Sequence, residues 1–347
     1  MKKAMILTFS KVYNRGANMQ CYALMKTLEK KGYNVEFIDA QLPREKKSLK
    51  GFLFYWLSYY KVAAFRRKTG FKYTRKYQTY NDLCNNPPKA DVYIVGSDQV
   101  WNPELTNAFD PRVYFLGYIK EGKKIAYAAS FGKNEWTSTI YDKEIIENVS
   151  LFNAVSVRED SGIDICRNTF KRNDAAYVLD PTLLLDGNDI RSLIKENKTD
   201  KNNEYMYVYL LYTDEKVRNI IDIISKECKL KAKGNTTQKG LLNKLLSIES
   251  VEGWLREIEN AKLVVTNSFH CMAMCILFHK PFYVIPTFKG REIRMTTLLD
   301  KLGIKDRYIP SVETKYLCAN QDIDFGEVDK RLDYYREISQ DFLNKSL

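Results

Sequence analysis

Apolar residues come in short unbroken blocks along this chain, separated by polar turns. Ala4 to Thr8, Val35 to Asp39, Asp91 to Val95, Lys124 to Ala129, Ala154 to Val157 and Tyr177 to Leu179 are each continuous enough to be a strand covered on both faces, as in a parallel sheet. Between the first two, Met19, Tyr22, Ala23, Met25 and Leu28 recur at helical spacing, which predicts a helix from about Asn18 to Lys31 stopped by Gly32. Strand, polar turn at Ser10 to Ala17, helix and strand make a βαβ opening with a right-handed crossover.

The pattern restarts after the polar stretch Asp186 to Asn203. It predicts a strand at Tyr205 to Tyr212, helices at Asp214 to Cys228 and Val251 to Asn260, a strand at Leu263 to Thr266, a helix at Phe269 to Phe278 and a strand at Pro281 to Ile285. Phe325, Val328, Leu332, Tyr335, Ile338 and Phe342 then mark a last helix expected to pack back across one or both domains. The chain of 347 residues is longer than one hydrophobic core usually supports. The expected organisation is a doubly wound α/β domain over 1–190, with a basic aromatic helical insertion at about 44–80. A second such domain follows over 204–318, then a C-terminal crossover helix over 319–347. Two such domains are expected to enclose a cleft.

Composition narrows the class. The hydrophobic fraction of 45% and charged fraction of 28% are those of an ordinary packed protein. Lys2 and Lys3 precede an apolar run that breaks at Thr8 without a cleavage pattern, so Met1 to Leu7 reads as a strand rather than a signal peptide. No apolar run reaches the roughly 18 residues that cross a bilayer. The seven cysteines lack CxxC spacing, which argues against a disulfide framework or a structural zinc site. Cys271 and Cys275, one helical turn apart, read as core. The expected localisation is cytoplasmic.

Charge adds one feature. Of the net charge of +12, most sits in Arg44 to Lys76, which also carries Phe52, Phe54, Tyr55, Trp56, Tyr59, Tyr60, Phe65 and Phe71. Two readings stay open: an amphipathic helix with a solvated basic face, or peripheral contact with the anionic inner membrane surface. No nucleic-acid motif accompanies it, and no nucleic-acid partner is expected.

Ligands of open parallel sheets bind beyond the carboxyl ends of the strands, so the strand tails carry the candidate chemistry. Asn267-Ser268-Phe269-His270 joins a strand to a helix, where backbone N–H groups and the positive dipole end suit an anion. His270, one of two histidines, is a candidate for proton transfer there; His279, at the far end of the helix, reads as a cap. Arg158 either grips a carboxylate or phosphate with paired hydrogen bonds or forms a salt bridge with Glu159 or Asp160. Lys289, Arg291 and Arg294 add positive charge after the last strand. Asn14, Arg15 and Gly16 lie in the first loop, where small residues admit a ligand. Asp98, Gln99, Trp101 and Asn102 form a polar and aromatic group in which Trp101 either stacks on a sugar or anchors the loop. HExxH, GxSxG, P-loop and acidic metal clusters are all missing, so no metal or cofactor is expected.

These strings in this order also carry a resemblance. They include Tyr13-Asn14-Arg15-Gly16-Ala17-Asn18-Met19-Gln20, Val95-Gly96-Ser97-Asp98-Gln99-Val100-Trp101-Asn102-Pro103 and Ser156-Val157-Arg158-Glu159-Asp160. Tyr127-Ala128-Ala129-Ser130-Phe131-Gly132, Asp180-Pro181-Thr182-Leu183-Leu184, Thr266-Asn267-Ser268-Phe269-His270 and Lys301-Leu302-Gly303 complete the set. Together they resemble the polysaccharide pyruvyl transferase family, almost end to end. The resemblance implies two facing Rossmann-like domains similar to GT-B glycosyltransferases. It also implies an enzyme that moves pyruvate from phosphoenolpyruvate, as co-substrate, onto a saccharide as a ketal in cell-surface polysaccharide (exopolysaccharide) biosynthesis. In it Arg158 matches an arginine and His270 a histidine of the family's motifs, while Ser268 stands where the family has arginine and Glu159 where it has aspartate. A tyrosine of the first loop becomes Arg15. The implied roles are catalytic for His270 and Arg158. Asn267, Ser268, Lys289, Arg291, Arg294, Asn14, Arg15 and Gly16 would bind the donor, and Asp98, Gln99, Trp101 and Asn102 an oligosaccharide or lipid-linked acceptor. Two other functions stay open: a nucleotide-sugar-dependent glycosyltransferase, and a non-catalytic protein that binds anionic saccharide or a membrane surface.

Overall fold

A computed structural model of the chain describes residues 1–40, 49–106, 110–194, 204–234, 248–287, 292–311 and 322–347, with side chains from 56 onward in the second stretch. The chain divides into two compact units. One comprises Met1–Ser48, Arg66–Leu184 and Tyr334–Leu347, the other Leu49–Phe65 and Leu185–Asp333.

The first unit carries a parallel sheet of β1 (Lys3–Leu7), β2 (Asn34–Ala40), β3 (Tyr73–Tyr77), β4 (Val92–Val95), β5 (Lys123–Ala129), β6 (Ala154–Val157) and β7 (Ala176–Tyr177), in the order β3-β2-β1-β4-β5-β6-β7. The near-continuous apolar strands are covered on both sides, as the pattern requires. The predicted first helix is found at Arg15–Lys30, three residues earlier than expected. Asn14 caps it, its side chain accepting from the Ala17 N–H. At the other end Tyr33 N–H bonds to Leu28 O and Gly32 N–H to Glu29 O around a glycine with φ +85°, the left-handed stop expected of Gly32. The helix packs on the 3₁₀ turn Pro181–Leu184.

An aromatic cluster fixes the loop after β4. Trp101 stacks on Phe115 at 5.3 Å and meets Phe131 at 5.4 Å and Phe152 at 6.0 Å, contacts each worth about 0.5–1.5 kcal/mol beyond burial. Its indole N–H donates to Tyr114 O.

The second unit carries β8 (Tyr205–Tyr209), β9 (Lys231–Gly234), β10 (Leu263–Thr266) and β11 (Phe282–Val284), all parallel in the order β11-β10-β8-β9. β3 and β9 were not expected from the sequence: Thr74, Arg75 and Lys76, and Lys231 and Lys233, break the apolar pattern because both strands lie at sheet edges. The helix Phe269–Leu277 is buried along its whole length, and Cys271 and Cys275 are free thiols in that core. Cys21, Cys84 and Cys166 are also free, whereas Cys228, against expectation, is disulfide-bonded.

The last helix, Phe325–Ser346, packs back as predicted. In the first unit Ser339 Oγ accepts from Leu179 N–H at 2.9 Å and Arg336 donates to Leu183 O at 2.7 Å. In the second, His279 stacks on Phe325 and meets the Asp329 carboxylate at 3.0 Å. His279 therefore ties two helices together, with φ +51° just past its own helix end. The insertion contains the helix Leu49–Lys68, of which Trp56 and Tyr60 are exposed. Among the described residues no helix is long and apolar enough to cross a membrane.

Candidate functional site

In the first unit β1 leads to β2 on one side while its other neighbour, β4, leads to β5 on the other. The chain leaves β1 and β4 in opposite directions along the sheet, which makes this the switch point, the place where doubly wound sheets commonly take ligands. Gly96 starts the β4 loop at φ +116°, and a Cβ there would lie 2.2 Å from Tyr127 O, so only glycine lets the loop cross β5. Ser97 Oγ donates to Asp180 at 2.6 Å, and Thr8 Oγ1 donates to Ser97 O at 2.9 Å. Thr182 donates through its N–H and its hydroxyl to the other oxygen of Asp180.

Arg158 lies inside this network. Its side chain is 1% exposed and pairs with Asp180, which is 0% exposed. Asp98 lies 3.6 Å away on the other side. Of the two sequence readings, the ion pair is the one realised, with Asp180 as partner in place of Glu159 or Asp160. Burial pulls the guanidinium's pKa down, but Asp180 and Asp98 outweigh it and raise it. A guanidinium so enclosed organises the strand ends instead of gripping a donor in the open.

Glu159 turns elsewhere. One carboxylate oxygen accepts from Ser130 Oγ at 3.0 Å, Phe131 N–H at 2.7 Å and Gly132 N–H at 3.0 Å, fastening the β5 loop. The aspartate of the family pattern is one methylene shorter.

The proposed acceptor group is brought together, but mostly bound to itself. Gln99 accepts from Asn102 at 3.2 Å, Asn102 accepts from Glu104 N–H at 3.1 Å, and both are buried. Trp101 is 0% exposed, its ring taken up by the aromatic cluster, which corrects the sugar-stacking reading in favour of loop anchoring. Asp98 alone of the four is partly exposed, with φ +71°.

In the first loop Asn14 is committed to capping and Gly16 is buried. Sequence reasoning missed what holds this loop: buried Arg66 donates to Ser10 O, Val12 O at 3.1 Å and Asn18 Oδ1 at 3.1 Å. No signal in the sequence separates Arg66 from the basic residues around it.

In the second unit the switch point lies between β8 and β10. Asn267 joins the loops after three strands: its oxygen accepts from Leu211 N–H at 2.8 Å and its amide donates to Tyr212 O at 2.8 Å and Pro286 O at 3.1 Å. Its donor-binding assignment becomes one of holding those loops. Ser268 caps the helix, its side chain accepting from Cys271 N–H, and His270 sits in the first turn, buried edge-on to Phe269. The helix N-terminus with its histidine is formed as predicted. Arg294 lies in the helix Ile293–Lys301; Lys289 and Arg291 fall outside the described residues. Among the described residues no group of three or more His, Cys, Asp or Glu is placed to hold a metal ion.

Comparison with known proteins adds three findings. The model of the family described as polysaccharide pyruvyl transferase matches residues 14–287. No curated protein matches the chain in sequence. Among solved structures, a Listeria monocytogenes protein described as a UDP-N-acetylglucosamine 2-epimerase has a TM-score of 0.56 at 8% identity, over 97% of this chain and 90% of that one. Arabidopsis thaliana UGT89C1, solved with UDP-L-rhamnose, has a TM-score of 0.51 at 10% identity, over 98% and 94%. At such identities the likeness shows the fold: mixed α/β with parallel sheets, as in GT-B glycosyltransferases and epimerases.

Proposed function

Because the chain belongs to the polysaccharide pyruvyl transferase family, we propose that it joins pyruvate from phosphoenolpyruvate to a saccharide as a ketal during cell-surface polysaccharide synthesis. The observation that carries this reading is His270 in the first turn of a helix whose start is fixed by the Asn267 strap and the Ser268 cap.

Ketal formation needs a proton at the donor's methylene carbon, attack by sugar hydroxyls on the cationic carbon beside it, and departure of phosphate. The imidazole of His270 is the proton-transfer group in this reading. The helix dipole and first-turn amides favour the donor's carboxylate or phosphate, and Ser268 supports them through the cap where the family has arginine. Arg158 acts through the loops it holds.

The acceptor is an oligosaccharide or a lipid-linked saccharide. Exposed Trp56 and Tyr60, ring-stacked at 6.0 Å, support a peripheral contact with the inner membrane surface, since such rings settle at the headgroup level.

Thermal melting with added ligand tests the donor. A ligand that binds only the native state raises the melting temperature, so phosphoenolpyruvate is expected to raise it and uridine or guanosine diphosphate to leave it unchanged. The reverse result favours a nucleotide-sugar-dependent glycosyltransferase. A shift with phosphoenolpyruvate but no phosphate release in the presence of acceptors favours a binding protein.

A further inference from the structure

We propose that Thr266 is a positioning residue of this reaction, whose hydroxyl sets the turn that carries His270; the assignment rests on the function proposed above and lies wholly within the second unit. Thr266 ends β10, an inner strand of the sheet β11-β10-β8-β9, and is 0% exposed. It is the last residue of the ladder on both sides, opposite Tyr209 of β8 and Val284 of β11. Beyond it the chain turns through Asn267 and Ser268 into the helix Phe269–Leu277, of which His270 is the second residue.

The Thr266 side chain makes two buried hydrogen bonds at that turn. Its hydroxyl donates to Tyr209 O at 2.6 Å and accepts from Ser268 N–H at 3.1 Å. An amide N–H can only donate, so the hydroxyl proton is directed at the carbonyl and the sense of both bonds is fixed. The Thr266 carbonyl accepts from Ile285 N–H at 2.9 Å. One residue thus joins the ends of β8 and β11 to the residue that caps the helix. Asn267 bonds the loops after the strands, and Ser268 accepts from the first turn of the helix through its side chain and, through its carbonyl, from Met272 N–H at 3.0 Å. Of these three consecutive residues, Thr266 is the one that holds the amide of the cap itself.

A group that transfers a proton has to sit within hydrogen-bond reach of the atom it serves, and a displacement of about 1 Å can lower the rate by about 10²-fold. Without the hydroxyl, Ser268 N–H loses its acceptor and the turn its tie to β8, so the first turn of the helix is free to shift with His270 on it. A branched side chain also suits a strand by shape alone. The two roles predict opposite orders of tolerance, because valine keeps the shape without the hydroxyl and serine keeps the hydroxyl without the shape.

The test compares Thr266→Val and Thr266→Ser in pyruvyl transfer from phosphoenolpyruvate to a competent acceptor. The valine variant is expected to lose about 10–10²-fold in kcat, and the serine variant to stay close to wild type. The chain has two histidines, so NMR of histidine-labelled protein reads His270 alone once His279→Asn, at a φ of +51° that asparagine tolerates, removes the other signal. The His270 Cε1–H resonance is expected to move or broaden with valine and to keep its wild-type position with serine, a reading that needs no turnover. If the valine variant does not fold, Thr266→Cys, whose thiol is a weak donor and acceptor, takes its place with the same readings. Wild-type turnover without the hydroxyl, equal losses with serine and valine, or an unmoved His270 resonance in the valine protein overturns the assignment. A wild-type protein that neither binds nor consumes phosphoenolpyruvate overturns the functional reading, and the resonance alone then decides whether Thr266 places His270.

Discussion

Arg158 and Asp180 form an ion pair shut away from solvent at the strand ends of the first unit, with side chains 1% and 0% exposed. Ser97 donates to the same carboxylate oxygen that Arg158 reaches, and Thr182 satisfies the other. The pair thereby joins the loops after β4, β6 and β7 into one unit.

Breaking such a pair from one side leaves a buried charge without its counterion, at a cost of about 3–5 kcal/mol. Asp180→Ala is therefore expected to destabilise by that amount in urea denaturation. The double variant Arg158→Met/Asp180→Leu is expected to recover a large part of the stability without recovering activity. Equal losses in the single and double variants would contradict this account of the pair.

Arg158 was visible in the sequence as a strand-end arginine; its partner was not. Proximity along the chain suggested Glu159 and Asp160, but Glu159 turns back to the Ser130–Gly132 loop and Asp180 arrives on the tail of β7, which pairs with β6. The blocks of apolar residues were enough to place the doubly buried central strands, because burial on both faces leaves a continuous signature. The edge strands β3 and β9 left none, their lysines and arginines reading as loop. The site divides in the same way. The strand tails and His270 were readable from position, whereas the roles of Trp101 and Asn267 depended on contacts with residues far along the chain.

Asn267→Ala removes three hydrogen bonds that tie the loops after β8, β10 and β11. A loss of about 0.5–1.5 kcal/mol is expected, the net worth of a hydrogen bond whose part-buried backbone partners water can reach once the side chain is gone. Hydrogen exchange at the Leu211 amide is expected to accelerate selectively. Unchanged exchange there would show that the strap does not hold the loop.

Stability is expected to fall in alkali. Burial first, and then Glu159, push the Cys166 thiol up from 9.0 to about 12, and burial likewise raises Cys21, Cys275, Tyr114, Tyr118, Tyr127 and Tyr207. Each folded value lies above the unfolded one, so the contribution is complete below about pH 9 and is lost as pH rises toward the folded values, at up to about 1.4 kcal/mol per pH unit per proton. Urea titrations between about pH 8 and pH 11 measure it, and Cys166→Ala is expected to lessen the slope. A flat profile would contradict the burial of these groups.

Contact with membranes is read out by sedimentation with vesicles rich in anionic phosphatidylglycerol. Wild-type protein is expected to pellet with them, and Trp56→Ser/Tyr60→Ser to lose about tenfold or more of that affinity, as two large aromatic surfaces no longer enter the interface. Equal pelleting of both would remove these rings from membrane contact.

The most direct test of the central claim is phosphate release from phosphoenolpyruvate, with mass analysis of the saccharide product. It is run against acceptors ending in galactose, mannose or N-acetylhexosamine, for wild-type and His270→Ala. The account predicts acceptor-dependent phosphate release matched one to one by ketal product, and a fall of about 10²–10⁴-fold in the folded His270→Ala protein. Ketal formation at the wild-type rate without His270 would contradict it.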